Sequence, residues 1–340
     1  MKQAYSFDDI LMVPQYSDIK SRREVDISSK LDGERELDFP IISSPMDTVT
    51  ELEMMAAMSD YGGMGVLHRY NTLEEQTEIM SKTKEKGVRF PAAAIGMSGD
   101  YMERAEALVE AGCQVLCVDV AHGHHAMMKD CLKSLKTKFN NNVHIMAGNV
   151  ATLEAFDALA DWGTDSIRVG IGGGSICSTR IVTGHGVTTL QSVMDIAKTT
   201  SSAKIIADGG IRTTGDMVKT LAAGADFVMI GSLFAGTEET PGEVFVNKRG
   251  IEYKAYRGMA SASAQRDWRG SSSTPEGIAT NVPFKGPIRG ILNNIAGGLK
   301  SGYSYTGARN LAELQSKVKF ITQSQAGSVE SSTHILRRSM

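Results

Sequence analysis

Lys204-Ile205-Ile206-Ala207-Asp208-Gly209-Gly210-Ile211-Arg212 opens a unit that closes at Phe227-Val228-Met229-Ile230-Gly231-Ser232. Two short apolar runs, 204–207 and 227–230, enclose an amphipathic stretch over 215–223. Each run gives way at once to glycine and to an acidic or hydroxyl side chain. An apolar run without polar alternation suits a strand buried on both faces, as in a parallel sheet. Parallel neighbours need a crossover, and the amphipathic stretch has the length to supply one. The segment therefore reads as strand, helix, strand.

The same pattern recurs upstream. Runs 39–43, 64–67, 92–95, 115–118, 144–147 and 167–169 complete a set of eight, with further amphipathic stretches at 101–110 and 153–161. About eight such units predict an α/β fold of the TIM (β/α)8 type. Residues 1–340 are expected to form a single catalytic domain. After residue 242 the pattern weakens. Residues 243–255 suit a hairpin turning at Asn247-Lys248-Arg249-Gly250. A mobile flap is expected over 260–280, and its polar part, 266–277, is either a cover over a site or a plain surface loop. Segments 288–299 and 311–318 read as closing helices, and the tail from Ser324 as loosely held.

Composition narrows the function. The chain has 340 residues, 41% hydrophobic and 22% charged, with 36 basic against 39 acidic side chains and a net charge of −3. That balance excludes disorder as the main state and gives no basic excess for coating nucleic acid. No apolar run approaches the ~20 residues of a membrane span. The N-terminal stretch has no apolar signal core, so a cytoplasmic location is expected. Cys113, Cys117, Cys131 and Cys177 form no C-x-x-C pair, which argues against a zinc knuckle or a disulfide framework.

In such a barrel, chemistry sits on the loops after the strands. The first, Ser43-Ser44-Pro45-Met46-Asp47-Thr48-Val49-Thr50, offers hydroxyls and a Met that could hold a flat heteroaromatic ring; alternatively Ser44 and Thr48 cap the next helix. The fourth contains Asp119 and then His122, His124 and His125. Three histidines suggest a metal, but no matching carboxylate or cysteine set accompanies them. Asp119 suits a ribose hydroxyl better. Asn149, after the fifth run, either orients a ligand or satisfies backbone at the rim.

The sixth loop, Gly170-Ile171-Gly172-Gly173-Gly174-Ser175-Ile176-Cys177-Ser178-Thr179-Arg180, is the sharpest feature. Its glycine-rich backbone exposes amides and carbonyls to a phosphate or a monovalent cation. A thiol on such a loop is placed for nucleophilic attack, and its polar neighbours argue against the alternative of a small buried apolar residue. Asp208 suits a ribose diol, while Gly210, Gly231 and Ser232 suit a phosphate.

Taken together these loops resemble the IMP dehydrogenase/GMP reductase family. The resemblance rests on Gly172-x-Gly174-Ser175-Ile176-Cys177-x-Thr179-Arg180, Ala207-Asp208-Gly209-Gly210-Ile211-Arg212, Gly231-Ser232-Leu233-Phe234-Ala235-Gly236-Thr237-Glu238-Glu239, Met46-Asp47-Thr48-Val49-Thr50 and Tyr256-Arg257-Gly258-Met259. It spans nearly the whole chain. It implies a homotetramer of TIM barrels acting on a purine nucleoside monophosphate; the charge and hydropathy above leave no nucleic acid or membrane partner to expect.

By the resemblance, Cys177 bonds to purine C2 and Thr179 helps activate water or ammonia. Ser175, Asp208, Gly210, Gly231, Ser232, Tyr256, Gly258, Met259 and Glu276 meet the substrate, with Met259 and Glu276 at the base. Asp119, His122 and Gly170 meet the nicotinamide cofactor. Carbonyls of Gly172, Gly174 and Cys177 form a potassium site.

The direction of reaction divides the motifs. The short 67–92 connection leaves no room for the paired CBS insert common in dehydrogenases, the flap is short, and it lacks their Arg-Tyr base. Ser304-Tyr305-Thr306-Gly307-Ala308 also looks reductase-like. These imply NADPH-dependent reductive deamination of GMP. Against them, Ala262 stands where reductases have a Glu that works on ammonia, and residues 237–243 and Glu330-Ser331-x-x-His334 look dehydrogenase-like. The alternatives are NAD-dependent oxidation of IMP to XMP and a non-catalytic nucleotide-binding barrel. With Ala262 unable to transfer a proton, Asp267, Arg266 or Arg269 of the flap is expected to close over the intermediate, with Trp268 as a shield.

Overall fold

The computed structural model describes residues 3–331 and 333; of Arg269 only the backbone is described. Eight parallel strands close on themselves: β1 (Ile41–Ser43), β2 (Met64–Leu67), β3 (Ala92–Ile95), β4 (Val115–Asp119), β5 (His144–Val150), β6 (Ser166–Val169), β7 (Lys204–Asp208) and β8 (Phe227–Ile230). Each pairs with its sequence neighbours, and β8 returns to β1 with Ile230 opposite Ser43. This is the TIM barrel the apolar runs predicted.

Both faces of the strands are buried. One face of each strand points inward: Ile42, Val66, Ala94, Cys117, Met146, Ile206 and Met229 fill the barrel, with Leu31 and Leu37 of a short hairpin (Ser29–Lys30 with Glu36–Leu37) packed into the same core. The other face packs on the surrounding helices through residues such as Ile41, Leu116, Ile145 and Ala207. Side chains alternate across a strand, so one apolar run serves two cores.

The helices begin where their sequences cap them. Thr72 and Glu75 make a reciprocal capping box at α2 (Leu73–Lys82), and Thr213 and Asp216 make another at α8 (Thr214–Ala222). The helix after β1, α1 (Leu52–Asp60), is different: Glu51 is its N-cap and makes no side-chain cap. Ser44 and Thr48 do not cap it: Ser44 lines the barrel-mouth cavity, and the Thr48 hydroxyl accepts from the Arg257 amide. The remaining outer helices are α3 (Tyr101–Glu110), α4 (Ala126–Phe139), α5 (Leu153–Asp161) and α7 (Thr189–Ile196), while the short α6 (Thr179–Thr183) follows the loop after β6 at the barrel mouth.

Beyond the barrel, β9 (Phe245–Val246), β10 (Glu252–Arg257) and β11 (Ala279–Pro283) form an antiparallel sheet. The turn at residues 247–250 closes the expected hairpin. Tyr256 lies opposite Thr280, which brings the end of β10 to the barrel mouth. Between β10 and β11 the segment read as a loop begins as a helix, α9 (Ala262–Arg269), because the Ser261 side chain caps it and Gly270 ends it in the left-handed region.

The closing helix α10 (Arg289–Thr306) runs past residue 299, where the sequence reading ended it. Gly297 and Gly298 look like a stop. Instead, a side chain at Gly298 would collide with Thr214, so the glycine allows α10 to approach α8 closely. The next helix is α11 (Leu311–Lys317), and Phe320–Thr322 pairs with Ile10–Met12. The tail expected to be loose forms α12 (Gln325–Glu330), capped by Ser324; His334 lies outside the described residues.

Candidate active site

The loops after the strands surround a cavity of about 920 Å³. Cys177, Thr179 and all of the residues assigned to substrate, cofactor or cation from the sequence line it. The loop after β6 forms its floor. Gly170 leaves β6 at φ 147°, and a side chain there would run into the Asp208 carbonyl. Only glycine lets the sixth and seventh loops meet at this point.

Cys177 is half-buried, whereas Cys113, Cys117 and Cys131 are buried. Its thiol donates to Thr179 Oγ1 at 3.2 Å. The backbone on either side is tied to the far end of the flap: Ser178 N donates to the Glu276 carbonyl at 2.9 Å, and Ile278 N to the Ile176 carbonyl at 3.0 Å. Two backbone hydrogen bonds thus join the cysteine loop to the segment around Glu276. Burial pushes the other three thiols up to about 12, which leaves them protonated and unreactive at neutral pH.

Beside the loop after β8, Ser44 Oγ, Met46 and Tyr256 converge on Gly231. Ser44 Oγ is buried and has no hydrogen-bond partner, an unusual state unless a ligand supplies one. Burial pushes the Tyr256 phenol up, against a hydrogen bond with Ser175. Lys285 donates to the carbonyls of Ser232 and Leu233 at 3.2 and 3.0 Å and fixes that turn from outside.

A charged group missing from the sequence reading crosses the cavity wall. Arg168, at the centre of a strand read as apolar, is buried and bridges Asp119 and Asp208. Asn149 Nδ2 donates to Asp208 Oδ2 at 2.9 Å and to the Gly170 carbonyl at 2.8 Å. Its Oδ1 is buried without a partner, so Asn149 both holds the rim and offers an acceptor. Arg69 also lines the cavity; its Nε, 3.8 Å from Asp119, has no hydrogen-bond partner. A lone cation inside an apolar run was the available signal for Arg168.

The histidines of the fourth loop do not gather. His125 Nδ1 accepts from Met127 N and caps α4, His124 lies 6.1 Å from the Trp162 ring, and His122 alone lines the cavity. Among the described residues no cluster of three His, Cys, Asp or Glu side chains could hold a metal. In the flap, Trp268 lines the cavity edge-on to Tyr70, at 5.7 Å between ring centroids. Arg266 and Asp267 are not among the described lining residues. Asp267 is exposed and bound to Arg257, so the expectation that it closes over the intermediate meets a side chain already engaged elsewhere. The Arg269 side chain lies outside the described residues.

Residues 4–334 match a family model described as the IMP dehydrogenase/GMP reductase domain. The chain belongs to the IMP dehydrogenase/GMP reductase family. It is 32% identical to an inosine-5′-monophosphate dehydrogenase of Nitrosopumilus maritimus, over 98% of each chain, and 32% identical to a GMP reductase of Leishmania major, over 98% of this chain and 97% of that one. The first alignment runs over 470 positions against 340 residues, so that relative carries residues this family member lacks. A solved GMP reductase from Trypanosoma brucei, in complex with guanosine 5′-monophosphate, superposes with a TM-score of 0.92 at 30% identity and 98% coverage of both chains. The protein is therefore an oxidoreductase of the purine-nucleotide family, and the two named activities share one barrel.

Proposed function

We propose that this family member reduces GMP to IMP and ammonia with NADPH, through a purine bound to Cys177. The observation that carries the reading is the half-buried Cys177 thiol, 3.2 Å from the Thr179 hydroxyl, on the floor of a cavity large enough for two nucleotides side by side. The chemistry follows from the base. Purine C2 lies between two ring nitrogens and is electrophilic, so the Cys177 thiolate adds its electron pair there. The protonated 2-amino group leaves as ammonia, and sulfur remains on C2 as a thioimidate. A reduced nicotinamide nucleotide supplies hydride to C2, and the thiolate departs to give IMP. GMP, the reduced nucleotide and two protons enter; IMP, the oxidised nucleotide and ammonium leave.

Each side chain has a task in this reading. Thr179 relays a proton beside the sulfur. Asp208 accepts from the ribose, Ser44, Gly210, Gly231, Ser232, Ser175 and Tyr256 hold the phosphate, and Gly258, Met259 and Glu276 hold the base. The orphaned Asn149 Oδ1 and Arg69 Nε fit polar groups of a nicotinamide nucleotide beside Asp119 and His122. Carbonyls of Gly172, Gly174 and Cys177 would hold potassium; that of Gly174 already accepts the Cys177 amide at 3.1 Å and keeps a second lone pair for the ion. We take the working form to be a single-domain protomer with a mobile flap, assembled as a cytoplasmic homotetramer.

The flap supports reduction over hydrolysis. It contributes Gln265, Trp268 and Glu276 to the cavity and no Arg-Tyr pair to deprotonate a water. One observation favours the reverse direction, NAD-dependent oxidation of IMP to XMP: Ala262, at the start of α9, has no carboxylate for ammonia. A paired assay separates the readings. GMP with reduced nicotinamide nucleotide is expected to turn over faster than IMP with the oxidised form. Turnover of IMP alone would replace reductase by dehydrogenase, and turnover of neither would leave a binding barrel.

A further inference from the structure

We propose that Arg168 is a positioning residue that couples the nucleotide half of the cavity to the cofactor half. The inference rests on the reading above, which gives Asp208 to the nucleotide ribose and Asp119 to the nicotinamide nucleotide.

The geometry is a fork. Arg168 Nη2 donates to Asp208 Oδ2 at 2.8 Å, and Nη1 donates to Asp119 Oδ1. The guanidinium is 8% exposed and the two carboxylates 15% and 16%, so water screens the three charges little. Burial opposes the charge on Arg168, and the two carboxylates more than restore it. Asp208 Oδ2 is taken by Arg168 and Asn149 together, at 2.8 and 2.9 Å. Its other oxygen carries neither bond, and the residue lines the cavity. The pair of donors thereby sets which carboxylate oxygen a ribose diol can reach.

One cation divided between two anions makes each anion sensitive to the other. If Asp119 loses its charge, Arg168 is balanced by Asp208 alone. Its hydrogen bond to Asp208 strengthens, and the free oxygen becomes a poorer acceptor for the ribose hydroxyls. The two subsites are then linked without any contact between their ligands, and the linkage must be reciprocal.

Calorimetric titration of the full chain with GMP and with 2′,3′-dideoxy-GMP tests this. Asp119→Asn is expected to weaken GMP by about fivefold, the low end of ordinary coupling between sites, and to leave the dideoxy analogue within about twofold. Arg168→Lys keeps the charge but cannot fork, and is expected to give the same pattern. Unchanged GMP affinity in Asp119→Asn would overturn the coupling, as would equal weakening of both ligands, which is the mark of structural damage. Asp208→Asn reports on the underlying reading separately. It should erase the preference for the diol, and retention of that preference would overturn the assignment of Asp208 to ribose instead.

Discussion

Arg257, at the end of β10, donates to Asp267 on α9 at 2.5 Å. The same guanidinium holds Asp47 of the first loop from two nitrogens, at 2.9 and 2.6 Å. The flap helix is thus tied through one arginine to the loop that faces it across the mouth. Asp267 is 65% exposed, which makes it the weak end of this tie, and Asp47 the strong one at 11%.

Removing the weak end should loosen the flap without stopping the chemistry. Asp267→Asn is expected to raise KM by about two- to threefold at low salt with little change in kcat, since an exposed ion pair contributes at most about 1 kcal/mol. The difference from the parent should vanish at high salt. A loss of turnover by orders of magnitude would make Asp267 the proton-transfer group after all.

Thiol reactivity should single out one cysteine. Near pH 8, iodoacetamide is expected to label Cys177 first and to be blocked there by GMP, because burial holds Cys113, Cys117 and Cys131 at about 12. Peptide mapping reads the outcome. Equal labelling at all four sites would contradict the placement of Cys177 at the cavity.

If Ser232 meets the phosphate as proposed, its replacement should discriminate nucleotide from nucleoside. Ser232→Ala removes a neutral donor and is expected to cost about 1 kcal/mol, or roughly fivefold, in GMP affinity. Guanosine should bind parent and variant alike. An equal loss for both would place Ser232 away from the phosphate.

The barrel was readable because parallel strands buried on both faces leave unbroken apolar runs, and the floor loop was readable because glycines and a cysteine cluster there. Arg168 was hidden because a three-residue run, Ile167-Arg168-Val169, looks apolar until its partners Asp119 and Asp208 are seen 49 and 40 residues away along the chain. The helical start of the flap was hidden by its Ser and Gly content, although Ser261 is a sound cap. The extent of α10 was hidden because Gly298 serves the approach of α8, and nothing local shows it. Ser44 and Thr48 could equally have capped a helix; Thr48 Oγ1 instead accepts from Arg257 N at 3.2 Å.

At the closed end of the barrel, Asp32 ties the inner hairpin to β5. Burial works against its charge, but hydrogen bonds with His144, the Glu34 and Arg35 amides and the Arg35 side chain hold it well below the usual carboxylate range. A carboxylate depressed in this way stabilises the fold above its unfolded pKa, and that stability is lost as pH falls through the folded value. Asp32→Asn is therefore expected to lower the Tm at neutral pH. The gap to the parent should narrow progressively below about pH 4, the unfolded carboxylate value. A constant gap across that range would remove Asp32 from the ion-pair role.

In the proposed reaction the purine passes through a covalent bond to Cys177. Acid-quenching the protein during turnover, digesting it and weighing the peptides tests it most directly. The peptide containing Cys177 is expected to carry the mass of the purine nucleotide, and Cys177→Ala to bind the nucleotide but neither form the adduct nor turn over. Full turnover by Cys177→Ala, or an adduct on another cysteine, would contradict it.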